Sequence, residues 1–303
     1  MLCIGMGTIR DYLVLIRFPN LFTIPSNIIV GFSQLVLFPE AGMENLLLLT
    51  ITSILLYVVG IIINDYRDLE IDRKERPDRP LPAGKISPRS ALAFVFVAAI
   101  SAIFLATLVG IPSVLLAVIL LITIIAYDCW LKNNFLGYFA IALARVINVV
   151  LGYSAGITLL ISNQNEITRL SVILISTFLY VTAISYISRK EVESSPKKSN
   201  FQISTVLLSL IPAILTFFTL SGVFKWDLFL SLIIFIGMLI KSLVGKYGSP
   251  NPEVAKKIVR NLVLSIIILD STFLSGTLGF AYGLSLLVLL IPAVILSRRF
   301  YVT

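Results

Sequence analysis

Hydrophobic positions along this chain come in long unbroken runs, not in the alternating or 3.6-residue stripes of a soluble fold. Ten runs approach the roughly 20 apolar residues that a helix needs to cross a bilayer. They cover 20–38, 45–63, 90–110, 112–131, 136–161, 169–188, 203–223, 227–244, 258–276 and 279–297. The run at 258–276 fits least well, because Lys256, Lys257 and Arg260 make its start amphipathic and Asp270 interrupts it. The polar connections are 64–89, 189–202 and 241–257, with short ones elsewhere. Helix pairs lead twice to a charged connection, at 64–89 and at 189–202, without a residue-level repeat. The pattern predicts an all-α integral membrane protein, a single polytopic domain over 1–303.

Composition agrees. The chain is 58% hydrophobic and only 13% charged, with a mean hydropathy of +0.99. A soluble domain carries about twice that charge, so a water-exposed globule is excluded. Histidine is absent, which removes imidazole acid/base chemistry, histidine triads, haem ligation and histidine-based zinc sites. Cys3 and Cys129 form neither a CxxC pair nor a disulfide framework. The net charge of +8 does not point to nucleic acid, since there is no soluble basic face. It fits the excess of Lys and Arg on the cytoplasmic side of membrane proteins. Basic residues gather before span 1, at 64–89, at Lys132, at 189–202 and at the C-terminus, whereas 39–44 and 162–168 are acidic or neutral. With ten spans both termini are cytoplasmic, and 64–89, Lys132 and 189–202 share that side. Arg10 and Arg17 within the first segment argue against a cleavable signal peptide.

About a third of the charged residues lie in the short stretch 64–89. It begins NDYRDLEID and continues RPDRPLPAGKIS. If the preceding helix runs on, Asp65, Asp68 and Asp72 fall at i, i+3 and i+7 and share one face, with Asn64 one turn before Asp68. Three carboxylates and an amide at a membrane helix end repel one another unless a cation collects them. Mg2+ suits oxygen donors and commonly bridges carboxylates to substrate phosphates. Arg67, Arg76, Arg79 and Lys85 can balance a diphosphate directly. The plainer alternative is a solvated loop of helix-end charges, which the spacing and the proline-punctuated tail disfavour.

The two segments resemble the NDxxDxxxD signature and the downstream RPxRPxPxG segment of the UbiA family of intramembrane prenyltransferases. Arg17-Phe18-Pro19-Asn20 resembles that family's N-terminal Arg/Pro/Asn segment. The resemblance implies a bundle of nine helices, or ten by the hydropathy count, around a central cavity open to lipid. It implies that the loops 64–89 and 189–202 cap this cavity. It implies Mg2+ on Asn64, Asp65, Asp68 and Asp72, holding the diphosphate of an allylic isoprenyl donor whose C–O bond ionises. Arg17 and Asn20 join the donor site. A hydrophobic or aromatic acceptor then attacks, with the isoprenyl tail in the apolar cavity.

Two segments depart from the family pattern. The second acidic motif reads Tyr186-Ile187-Ser188-Arg189-Lys190-Glu191-Val192-Glu193, which resembles an EboC-type branch. There, Glu191 remains as a metal ligand, or Arg189 and Lys190 replace part of the second metal's charge. The family's YxxxK segment is one residue longer here, Tyr127-Asp128-Cys129-Trp130-Leu131-Lys132. Lys132 reaches the diphosphate, or forms an ordinary i, i+4 pair with Asp128. Inside the fifth span Arg145 and Asn148 are expected on one face, either lining the acceptor side or clamping helices together. Asp270 is a candidate partner for Arg145 or Arg260. Competing functions are a transporter and a catalytically lapsed lipid-binding membrane protein. A CDP-alcohol phosphotransferase is disfavoured, because its acidic motif begins Asp-Gly and no such dipeptide occurs.

Overall fold

The structure, a computed structural model, describes residues 7–35, 42–156, 164–188, 198–243 and 252–297. Among the described residues no strand forms. The order is α1 Ile9–Leu15, a 3-10 segment Phe18–Thr23, α2 Ile24–Ser33, α3 Met43–Arg67, α4 Leu69–Glu75, α5 Pro88–Val109, α6 Ile111–Ala126 and a π-helical turn Tyr127–Leu131. Then come α7 Leu136–Tyr153, α8 Gln164–Ser188, α9 Lys198–Leu220, α10 Leu228–Leu243, α11 Pro252–Leu264, α12 Ile266–Thr277, α13 Phe280–Leu286 and α14 Leu290–Ser297. Within the described residues each of the ten apolar runs is largely helical. Among the described residues eight helical segments are long and apolar enough to cross a bilayer, and the bent pair Ile9–Leu15 and Phe18–Ser33, taken as one span, makes nine. The tenth, α10, has 16 residues and spans roughly 24 Å.

The bundle packs by small residues and turns its large ones outward. On α5, Ala91, Ala98, Ala102 and Ala106 are buried, three of them at four-residue spacing, and this stripe lies along α3. Small side chains let two backbones approach, which is how helices associate where lipid offers no hydrophobic contrast. The opposite face carries Phe96, Ile100, Phe104 and Leu108, all exposed. On α6 the exposed stripe is Ile111, Leu115, Ile119 and Ile122. Such faces would aggregate in water and are at home in lipid.

α2 crosses α7 more closely still. A Cβ added to Gly152 would strike the carbonyl of Ile28, and one added to Gly31 would strike that of Val149. Gly152→Ala is therefore expected to cost about 1–3 kcal/mol. Gly237→Ala on α10, where no atom lies within 4 Å, should be nearly silent. Thermal unfolding in detergent distinguishes them, and equal midpoints would refute the close crossing.

The segment that hydropathy favours least is the most enclosed. Every residue of α12 is buried, including Asp270, Ser271, Thr272 and Ser275. Hydropathy counts those groups against a membrane location, but inside the bundle they find protein partners: Ser271 donates to the Gly283 carbonyl at 2.7 Å, and Ser275 meets Ser231 at 2.6 Å. α12 packs against α2, α10 and α13, and α14 returns to the 3-10 segment, which closes the bundle.

Candidate active site

The acidic stretch does not continue as one helix. α3 ends at Asp68, whose backbone (φ −85°, ψ 2°) leaves the helical range before α4 begins at Leu69. The break redirects the acids. Asp65 and Asp72 turn inward and are 4% and 2% exposed, while Asp68 faces across to the end of α6.

Three cations from three other parts of the chain meet them. Arg79 Nη1 donates to Asp72 Oδ2 at 2.7 Å and to Asp65 Oδ1 at 3.3 Å, tying α4 to α3. Arg17 Nη2 donates to the same Asp65 oxygen at 2.9 Å. Lys132 Nζ donates to Asn64 Oδ1 at 2.7 Å and also to Asp68 Oδ2. Arg76 stands 3.9 Å from Asp72. Each cation has an identifiable support. Arg17, in the left-handed region (φ 49°, ψ 55°), is the one described non-glycine residue with positive φ, at the 53° bend between α1 and the helix that follows. Such a conformation costs of order 1–2 kcal/mol and turns the side chain toward α3. The proline-rich tail folds back through Gly84 (φ +68°) and seats Leu81 and Ile86 on Leu15, Val58, Ile62 and Ala91, which fixes Arg79.

Lys132 owes its position to the π turn. Its N–H donates to the Tyr127 carbonyl at 2.8 Å, an i→i+5 bond. One π turn absorbs the extra residue between Tyr127 and Lys132, so the two stand a single turn apart as an i, i+4 pair would in an α-helix. Lys132 consequently pairs with Asn64 and Asp68 and not with Asp128. Asp128 is left 8% exposed with Oδ1 lacking any hydrogen-bond partner. Its charged neighbours are Lys132, Asp68, Arg17 and Asp65.

Among the described residues no three acidic or thiol side chains are arranged as a ready metal cluster, and each of the three motif carboxylates is paired with a cation. The donor chemistry nevertheless fits a hard divalent ion. Asn64, Asp65, Asp68 and Asp72 offer only oxygen ligands beside an orphaned buried carboxylate oxygen. The remaining candidate cations point elsewhere: Arg67 is exposed and donates to the Cys129 carbonyl at 3.4 Å, and Lys85 is exposed, 4.0 Å from Asp11. Arg189, Lys190 and Glu191 lie outside the described residues. The last turn of α8 lies beside the first of α7, through Tyr186 stacked on Tyr138 at 4.3 Å.

A second polar layer begins at Tyr57, seven residues before Asn64 on α3. Tyr57 hydrogen-bonds Asn20 and has Arg17 and Arg145 as charged neighbours. Arg145 Nη1 donates to Asn27 Oδ1 at 2.6 Å and to the Thr23 carbonyl at 3.2 Å, and Nη2 donates to Thr23 Oγ1 at 3.2 Å. Asn27 Nδ2 donates to Asp270 Oδ2 at 2.8 Å, and Ser26 donates to that oxygen at 2.5 Å. Arg145 and Asp270 are thus joined through Asn27. Asn148 departs from this group, since its side-chain carbonyl accepts from Ser53 on α3.

Sequence reasoning missed Tyr57, whose only signal was its seven-residue spacing to Asn64. It also passed over Asp128, which the i, i+4 spacing to Lys132 explained away.

Known proteins share this architecture. A digeranylgeranylglyceryl phosphate synthase from Methanoculleus marisnigri is 40% identical over 119 residues, 39% of this chain and 43% of that protein. A protoheme IX farnesyltransferase from Azorhizobium caulinodans is 34% identical over 140 residues, 43% of each chain. The chain spans about half the length of the curated relatives it matches, 43% and 51% of the first two. Among solved structures, a UbiA homologue from Archaeoglobus fulgidus bound to GPP and Mg2+ superposes with a TM-score of 0.62 at 16% identity, covering 92% of this chain and 99% of that one. A structure of digeranylgeranylglyceryl phosphate synthase superposes with a TM-score of 0.64 at 22% identity, covering 88% and 98%. The family model for UbiA prenyltransferases matches residues 28–263, and with its apolar spans the chain is a multi-pass membrane protein that belongs to the UbiA prenyltransferase family.

Proposed function

We propose that this protein is a Mg2+-dependent intramembrane prenyltransferase that moves an isoprenyl group from an allylic diphosphate to a hydrophobic acceptor. The observation that carries this reading is the convergence of Arg17, Arg79 and Lys132 on Asn64, Asp65, Asp68 and Asp72 at the end of one membrane helix. Bound by these four oxygen-donor residues, with Glu191 as a further ligand, Mg2+ would supply Lewis-acid charge to the leaving diphosphate. Arg17, Arg79 and Lys132 donate to phosphate oxygens and offset the negative charge that grows as the allylic C–O bond breaks. Charge-assisted bonds of this kind contribute about 1.5–3 kcal/mol each. Arg76, 3.9 Å from Asp72, adds to this basic rim; from the sequence alone, Arg189 and Lys190 are proposed as further contacts to the diphosphate.

On the acceptor side, Tyr57 connects the mouth to Arg145, and Arg145 and Asn148 hold the neighbouring helices. The three donor bonds that fix Arg145 favour a structural share in its role. The relatives' names support an acceptor of the glyceryl phosphate class over an aromatic ring. The distribution of Lys and Arg supports a mouth that faces the cytoplasm, capped by 64–89 and 189–202 of a single domain.

The test uses purified protein in detergent with GPP. Donor binding and diphosphate release are expected with Mg2+, loss of both on adding EDTA, and recovery on restoring Mg2+. Binding indifferent to the chelator would sink the metal-dependent reading.

A further inference from the structure

We propose that Asp128 is an additional metal ligand, supplied to the mouth from the π turn that follows α6. The proposal rests on the prenyltransferase reading and deepens it. Each of the three motif acids has a cation: Asp65 has Arg17 and Arg79, Asp72 has Arg79, and Asp68 has Lys132. Among the described residues Asp128 forms no ion pair, although Lys132 and Arg17 lie in its neighbourhood, and its Oδ1 is buried without a donor. A carboxylate withdrawn from water without a partner is strongly disfavoured unless a cation compensates it. The residue that an α-helical reading of the sequence would pair with it, Lys132, is diverted by the π turn to Asn64 and Asp68. The same turn leaves Asp128 facing Asp68, Asp65, Arg17 and Lys132. A buried, unpartnered carboxylate oxygen whose charged neighbours include two of the motif acids has the chemistry of a ligand for a hard cation.

Asp128→Asn keeps the shape and removes the charge, and no hydrogen bond to Asp128 is lost in the described structure. Two measurements test the proposal without reference to turnover. The first is Mn2+ affinity by electron paramagnetic resonance, with inorganic diphosphate present, for the wild type, Asp128→Asn and Asp68→Asn. A drop of about tenfold or more is expected for Asp128→Asn. The second is the thermal midpoint without metal and the increment that Mg2+ adds. The variant should be at least as stable as the wild type without metal, because an unpaired buried charge has gone, and should gain less from Mg2+. Unchanged Mn2+ affinity in Asp128→Asn beside weakened affinity in Asp68→Asn would overturn the role of Asp128 and leave the prenyltransferase reading standing. A lower metal-free midpoint with a full Mg2+ increment would also overturn it, in favour of a structural acid. A wild type that binds no Mn2+ would remove both readings.

Discussion

Replacing Asp68 with asparagine is expected to lower prenyl transfer by roughly 100-fold or more while leaving the fold intact. The magnitude follows from removing one charged group that acts on the developing diphosphate charge, an effect of order 10²–10³ in comparable electrostatic sites. Asp68 is the best of the three motif acids for this experiment. Its side chain is 25% exposed and bound by a single cation, whereas those of Asp65 and Asp72 are 6% and 3% exposed and knit several elements together. The amide of asparagine can still accept from Lys132, so the geometry of the mouth survives. Only its charge changes. The measurement is turnover with GPP alongside a thermal midpoint in the same detergent. Turnover within a few-fold of the wild type would refute the assignment of Asp68 to the reacting site. A large fall in the midpoint would show that Asp68 holds the fold instead.

The largest effect on stability is expected at Arg79. Arg79→Leu leaves Asp65 with Arg17 alone and deprives Asp72 of its one close partner, Arg76 being 3.9 Å away. Breaking a buried pair by removing one member costs about 3–5 kcal/mol, because the other charge is stranded. In this chain the loss falls on the junction of α3, α4 and the proline-rich tail. An apparent midpoint lower by roughly 10 °C is expected. Arg79→Lys should recover part of the stability, since it restores the positive charge between the two acids but lacks the delocalised guanidinium and its additional N–H donors. Donor binding should fall in both variants, more steeply in Arg79→Leu. A midpoint unchanged in Arg79→Leu would mean that the two acids do not depend on Arg79 in solution.

These two residues also mark where the sequence stopped being informative. The acid–amide–arginine content of 64–89 was legible, because residue chemistry and spacing are local properties. The expectation that Asp65, Asp68 and Asp72 share one face was not met, since α3 ends at Asp68. With about 100° of rotation per residue, a single non-helical residue is enough to send neighbouring side chains in different directions. Arg79 belonged in the sequence to a list of basic residues with Arg67, Arg76 and Lys85. Only the fold of the tail on Leu15 and Ile62 singles it out. Lys132 was legible as a candidate with two readings. The π turn decided between them: the extra residue between Tyr127 and Lys132 marks where it falls, but which acid Lys132 then meets depends on how α3 packs beside that turn.

By itself, then, the sequence determined the solvent of this protein, its helical blocks and the chemical class of its polar mouth. Burying some twenty consecutive apolar residues with their backbone satisfied leaves the membrane helix as the one economical solution, and histidine-free, oxygen-rich chemistry narrows the ligands. The tertiary structure decided which cation meets which acid, that Asp128 stands without one, that Asp270 reaches Arg145 through Asn27, and that 256–277 is the enclosed core of the bundle. Those outcomes depend on where helices break and cross. Crossings are set by glycines, alanines and single irregular turns whose partners lie far away in the chain, as Gly31 and Gly152 do for α2 and α7.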